Sequence, residues 1–170
     1  KSGAVAGLCP VTEANLGDGI FPAPAWLAAG GRYGVGSDSN VLIDMAEELR
    51  WLEYGQRLSG RGRNMLALAP GRSTGQDVFD AALAGGARAL GLVGGLKVGH
   101  AADMMSLDAE HPSLAGRTGA SILDAFLFAA GRQAIDGVWR RGARVVSGGR
   151  HVAREAIAAR YRKTLETLVA

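Results

Sequence analysis

Two short strand-like runs, residues 4–8 and 32–36, constrain this chain more than any other feature. Between them lie a polar stretch over 11–24 that reads as a loop, a short helical segment over 25–29, and the turn Gly30-Gly31. Strand, loop, helix, strand in that order predicts a parallel crossover. Parallel strands are covered on both faces and need neighbours at both edges, so two of them do not make a stable sheet alone. The pair therefore reads as the end of a larger barrel or sheet. The second run closes in Gly36-Ser37-Asp38-Ser39. Ligands of α/β folds bind beyond the C-terminal ends of such strands. A carboxylate there is a metal ligand, a proton-transfer group or a cap for the next helix, and spacing alone leaves all three open for Asp38, with Ser39 as the second candidate cap.

The clearest helix spans 41–58. Leu42, Met45, Ala46, Leu49 and Leu52 recur at helical spacing, while Glu47, Glu48, Arg50, Glu53 and Arg57 fall mostly on the other face. Glu53 and Arg57 are four apart in the favourable order, and Trp51 and Tyr54 flank the stripe as packing residues. A loop follows over 59–72. Thr74 opens another helix, with Asp77 as an acidic capping-box residue and Val78, Phe79, Ala82, Leu83 and Ala87 as the buried side. Gly91 is placed to end it in the left-handed conformation. Beyond 94 the pattern changes to a strand over 103–108, a helix over 121–129, a hairpin of 135–140 with 143–147 turned at Arg141-Gly142, and a final amphipathic helix over 154–169. Ile157, Tyr161, Leu165 and Leu168 mark one face of that helix. The expected organisation is 1–93, 94–152 and 153–170.

Composition narrows the functional classes. With 170 residues and 48% hydrophobic content, the chain has room for a packed core. Its apolar runs are broken by Gly, Arg or Asp, so no membrane span and no leader peptide are expected. A single cysteine, Cys9, precludes an internal disulfide and suits a reducing, cytoplasmic compartment. The net charge of +3 comes without a basic stripe interleaved with aromatics, so nucleic acid is not an expected partner. Arg57, Arg61, Arg63 and Arg72 cluster in and beside the 59–72 loop; they read as a solvated group, or as a seat for an anionic substrate group. Cys9 before Pro10 reads as a buried small residue, since no histidine lies in a partner motif. Arg50 and Arg57 read as helix-surface ion-pair partners, or as contacts for a glutamate-like carboxylate, and Asp103 and Asp108 as turn and strand-end residues.

Three stretches together resemble the C-terminal signature of the amidohydrolase superfamily. They are Gly86-Ala87-Arg88-Ala89-Leu90-Gly91-Leu92, Gly95-Leu96-Lys97-Val98-Gly99 and Ala102-Asp103-Met104-Met105-Ser106-Leu107-Asp108. The run from Ile135-Asp136-Gly137-Val138-Trp139 to Gly149-Arg150 is similar to the closing hairpin of that superfamily's small β-sandwich. Cys9-Pro10 with Leu16, Gly19 and Pro22 is similar to the strand-seven loop of the aminohydrolase branch. Gly36-Ser37-Asp38-Ser39 resembles the end of barrel strand eight, whose Asp is a metal ligand. Within that branch, residues 12–22 and 47–58 resemble the formimidoylglutamate deiminases.

The resemblance implies an α/β fold: the last strands and helices of a (β/α)8 metal-dependent hydrolase barrel, with part of the β-sandwich. It implies an enzyme that binds one zinc ion and hydrolyses N-formimino-L-glutamate to N-formyl-L-glutamate and ammonia, a step in histidine degradation. Asp38 is then both zinc ligand and catalytic proton carrier, Glu13 and Asn15 are candidate substrate contacts, and the whole enzyme is a homodimer. The other open readings are a guanine-, cytosine- or triazine-type aminohydrolase and a non-catalytic scaffold. The chain departs from the family pattern in having no His-x-His pair; His100, His111 and His151 all fall in the loop or sandwich region and read as surface or structural residues. A catalytic zinc site takes about three protein ligands. The remaining ligands are therefore expected outside this chain, in an absent N-terminal half-barrel, and the chain alone is expected to be inactive.

Overall fold

The computed structural model describes residues 2–39 and 42–169. The element order is β1 (Val5–Leu8), α1 (Pro10–Leu16), α2 (Ala23–Ala28), β2 (Arg32–Val35), α3 (Met45–Gly60), α4 (Thr74–Ala89), β3 (Met104–Leu107), α5 (Ser121–Ala125), β4 (Ile135–Arg140), β5 (Ala143–Ser147), β6 (Arg150–His151) and α6 (Arg154–Val169). A π-helical turn, Phe126–Ala130, and a 3-10 turn, Gly131–Ala134, join α5 to β4. The chain forms two compact units. One is Lys1–His100 with Ala109–Ala134; the other is Ala101–Asp108 with Ile135–Ala170.

In the first unit β1 and β2 pair in parallel, with Val5 opposite Arg32 and Leu8 opposite Val35. The expected crossover is present, but the stretch over 11–24 is not a continuous loop. Pro10 has no N–H to lose and sits at the first helical position, so α1 starts directly after β1 and runs until Gly17 turns left-handed at φ 76°. α4 lies against β2 at very short range. A Cβ on Gly85 would stand 1.8 Å from the Tyr33 carbonyl oxygen, and one on Gly34 would stand 3.0 Å from the Gly86 Cα. The helix backbone touches the strand because neither residue carries a side chain. Tyr33 is fully buried beneath it, and its hydroxyl donates to the Val78 carbonyl at 3.2 Å.

α3 is the hub of this unit. Val41, where the periodicity starts the helix, lies with Asn40 outside the described residues. The described helix begins at Met45, capped by Asp44, whose carboxylate accepts the Ala46 N–H at 2.8 Å. Neither Asp38 nor Ser39 is the cap. Ala46, Leu49 and Leu52 enter the core as the spacing predicts. Glu48 and Glu53 do not face solvent; they are 1% and 0% exposed. Glu53 accepts the Met65 and Leu66 N–H groups, each at 2.9 Å, and the Arg57 Nε at 2.6 Å. A buried carboxylate with three donors has replaced its water shell.

α4 is capped by Ser73, which accepts from Gln76 N at 3.0 Å, so Asp77 is not a capping-box residue. Asp77 instead holds the preceding loop: it accepts the Leu68 N–H at 2.8 Å and binds the Arg72 guanidinium. Leu83, expected inside, is 42% exposed. At the far end Gly91 is left-handed at φ 66°, and the Leu92 N–H reaches the Ala87 carbonyl at 2.8 Å, closing the helix as predicted.

In the second unit β3, β4, β5 and β6 form an antiparallel sheet in that order. The predicted hairpin turns at Arg141 (φ 50°) and Gly142 (φ 81°), and Asp103 accepts the Arg141 N–H at 2.6 Å. Arg144 lies over the Trp139 ring at 5.0 Å and reaches Asp136 at 3.2 Å. α6 follows with its apolar residues Ile157, Tyr161, Leu165 and Leu168 exposed.

Two outcomes follow. Gly85→Ala should destabilise the chain by about 2 kcal/mol or more, because the new methyl meets backbone that cannot rotate away. Urea unfolding reads this, and an unchanged midpoint would refute the close approach. The Arg72 hydrogen bond and the Leu68 N–H hold the Asp77 carboxyl below the usual range against the opposing effect of burial. A depressed carboxyl stabilises the fold above its unfolded value near 3.9 and loses that contribution as pH falls through its folded value. Between pH 5 and pH 2 the urea midpoint of wild type should therefore fall further than that of Asp77→Asn; equal losses would remove Asp77 from the account.

Candidate active site

Both parallel strands of the first unit end on the same side, where β1 runs into Cys9 and β2 into Gly36-Ser37-Asp38. The ladder continues one step past the strands, with the Gly36 N–H donating to the Leu8 carbonyl at 2.9 Å. α1 is pinned across this end by three bonds. Glu13 reaches back to the Cys9 N–H at 2.8 Å, Glu48 accepts the Val11 N–H at 2.9 Å, and the Thr12 hydroxyl donates to the Ser37 carbonyl at 2.9 Å. The first N–H groups of a helix have no partner within it, and carboxylates there also meet the positive end of the helix dipole.

Asp38 is exposed and sits in the left-handed region at φ 48°, which Asp tolerates better than most residues. Burial pushes the Cys9 thiol above its ordinary pKa, and the negative charges of Asp38, Glu48 and Glu13 push it the same way. Burial and the three carboxylates thus all disfavour the Cys9 thiolate. The fold brings Asp38 and Glu13 around this point, whereas Asn15 is exposed further along α1. Glu13 also lines a largely apolar cavity of about 270 Å³ on the flank of α1 and α3, with Phe21, Trp51 and Gln56; Gln56 Nε2 donates to the Phe21 carbonyl at 2.8 Å. Glu48 was missed by the periodicity, which put it on the outer face. The signal was the polar continuation of the buried stripe, since Glu48, Leu52, Gly55 and Gln56 follow one another at helical spacing.

The histidines are not at this site. His111 and His151 accept backbone N–H groups two residues on, at 3.2 and 3.1 Å, and His100 lies 3.0 Å from the Gly95 carbonyl. Among the described residues no three His, Cys, Asp or Glu side chains are grouped to hold a metal ion. Asp38 offers one carboxylate where catalytic zinc takes about three protein ligands, so the described residues do not by themselves fit a zinc ion.

A family model described as the amidohydrolase family matches residues 1–145. The chain belongs to the amidohydrolase family. Among amidohydrolase relatives, formimidoylglutamate deiminase of Pseudomonas aeruginosa is 51% identical over 170 residues, covering 99% of this chain and 38% of its own length. The crystal structure of an amidohydrolase from Brucella melitensis superposes with a TM-score of 0.90 at 50% identity, over 98% of this chain and 37% of that one. An adenosine deaminase from Xanthomonas campestris, solved with bound zinc, superposes with a TM-score of 0.75 at 26% identity, over 96% of this chain and 38% of that one. The chain thus spans well under half the length of these relatives. The fold is the C-terminal portion of an amidohydrolase barrel with part of the accompanying β-sandwich.

Glu48→Gln removes a charge while keeping the shape of the side chain. The Cys9 thiol should then titrate at lower pH, seen as an acid-ward shift in the pH profile of iodoacetamide alkylation. The weaker acceptor left for the Val11 N–H should cost about 1 kcal/mol of stability. A profile that does not move would show that Glu48 does not act on the strand end.

Proposed function

We propose that this chain is the C-terminal part of a zinc-dependent deiminase that hydrolyses N-formimino-L-glutamate to N-formyl-L-glutamate and ammonia. The observation that carries the reading is the 51% identity to the Pseudomonas aeruginosa deiminase along 99% of the chain, with Asp38 exposed at the end of a parallel strand. In the reaction water adds across the C=N bond and ammonia leaves, so both protons of the attacking water must end on the departing nitrogen, one as the water adds and one as the C–N bond breaks. A carboxylate open to the space beyond the strand end can take each proton in turn and pass it on. Asp38 is the residue we assign to this transfer and to one zinc contact. The other ligands, and the N-terminal half of the barrel, lie outside this chain, and the complete enzyme is a homodimer in the cytoplasm.

Glu13 has a structural task already, on the Cys9 N–H, and its place in the 270 Å³ cavity leaves it as a substrate contact in this proposal together with Asn15. The 170-residue chain, supplied with zinc, should release no ammonia from N-formimino-L-glutamate, because Asp38 cannot hold the metal alone. A longer chain that contains these residues and the missing half-barrel should release it. In that longer chain Asp38→Asn should lower kcat by about 10²-fold or more. Turnover by the 170-residue chain would sink the incomplete-site reading. Wild-type turnover by the Asp38→Asn variant would sink the assignment of the proton carrier, and release of ammonia from a guanine or triazine substrate in place of the formimino compound would move the substrate class.

A further inference from the structure

A second hollow, of about 390 Å³, lies in the first unit towards the C-terminal end of α3. Nine residues separate Glu48 at the strand ends from Arg57 at this hollow, a rise of about 13 Å along the helix. Its walls come from α3, the loop that follows it, the start of α4, and α5 with the π-helical turn. Turns of that kind recur at functional sites. The hollow does not depend on the deiminase reading.

Three arginines line it: Arg57, Arg63 and Arg117. Arg57 is committed, with its Nε on Glu53 and its guanidinium 5.3 Å from the Tyr54 ring and 5.2 Å from the Phe128 ring. Arg63 and Arg117 are exposed, and among the described residues their guanidinium groups make no hydrogen bond and no ion pair. One carboxylate, Asp124, also lines the hollow, and one of its oxygens is taken by the Gly75 N–H at 2.7 Å. With Glu53 behind Arg57, three guanidinium groups face two carboxylates, which leaves the hollow positive.

The second observation is Thr74. It lines the same hollow and is only 4% exposed, yet its hydroxyl has no hydrogen-bond partner among the described residues. A buried hydroxyl left unpaired costs about 1–3 kcal/mol, so such groups in native proteins have an answer in structure or ligand. Two uncommitted guanidinium groups and an unpaired buried hydroxyl around one concave space form a donor set. Planar guanidinium forks match phosphate and carboxylate oxygens.

We propose that this hollow is a binding site for a small oxyanion, a phosphate or carboxylate head group, with Arg63 and Arg117 as charged donors and Thr74 as the buried one. Calorimetric titration of the chain with inorganic phosphate and with succinate, at constant ionic strength, tests it. Saturable binding of at least one is expected, and the one that binds tells the tetrahedral from the planar head group. Arg63→Ala and Arg117→Ala should each weaken that binding about tenfold, the worth of one charge-assisted hydrogen bond. Both residues are exposed, so urea midpoints should stay at the wild-type value. Thr74→Val should weaken binding, and Thr74→Ser should restore it. Asp38→Asn should leave it unchanged, which separates this site from the strand ends. No saturable binding of either anion, or binding that survives both arginine changes, would overturn the proposal.

Discussion

Everything in the larger unit hangs on carboxylates turned inward along α3. A helix normally offers its charged face to water. Here Glu48 and Glu53 are buried, and each ends on backbone N–H groups that would otherwise have no partner. Glu48 holds the start of α1, and Glu53 holds the loop after α3. Arg50 extends the pattern, its Nε donating to the Leu127 carbonyl of the π-helical turn at 2.7 Å. The core of this unit is thus partly polar, and its two buried glutamates are partnered. Such an arrangement costs desolvation, and losing one member leaves a charge or an N–H stranded. That makes α3 intolerant of change on a face that sequence periodicity would call free.

The same device shapes the strand ends. α1 is held there by Glu13, Glu48 and Thr12, so the region around Cys9 and Asp38 is built from neighbours far apart in sequence. Burial, and then the negative charge of Asp38, Glu48 and Glu13, hold the pKa of the Cys9 thiol above its ordinary value. Asp38 remains open to the space beyond β2. A proton carrier needs that access, and a metal ligand needs further ligands that the described residues do not group with it. The chain belongs to the amidohydrolase family and spans well under half the length of its relatives.

Much of this could be read in the residues. The parallel pair, the Gly-Ser-Asp ending of β2, the Glu53–Arg57 pair, the Gly91 stop and the hairpin at Arg141-Gly142 are local signals, and local signals survive into the fold. The residues of 11–24 misled because their Gly, Asn, Asp and Pro content marks a loop, while Pro10 at a first helical position and a carboxylate from α3 convert part of the stretch to helix. Asp77 misled because its spacing from Thr74 fits a capping box, yet Arg72 and the Leu68 N–H claim it first.

Apart from α1, the sequence by itself determined the main elements, their order and the carboxylate that ends β2, because turn chemistry, periodicity and glycine placement act over a few residues. Tertiary structure alone decided which polar groups go inside. That choice depends on orphan N–H groups of α1 and the 61–73 loop meeting Glu48 and Glu53, contacts of up to 37 residues' separation that no local pattern encodes. It also decided that α4 presses its backbone onto Tyr33, since Gly85 and Gly34 reveal their purpose only when brought face to face with a neighbour.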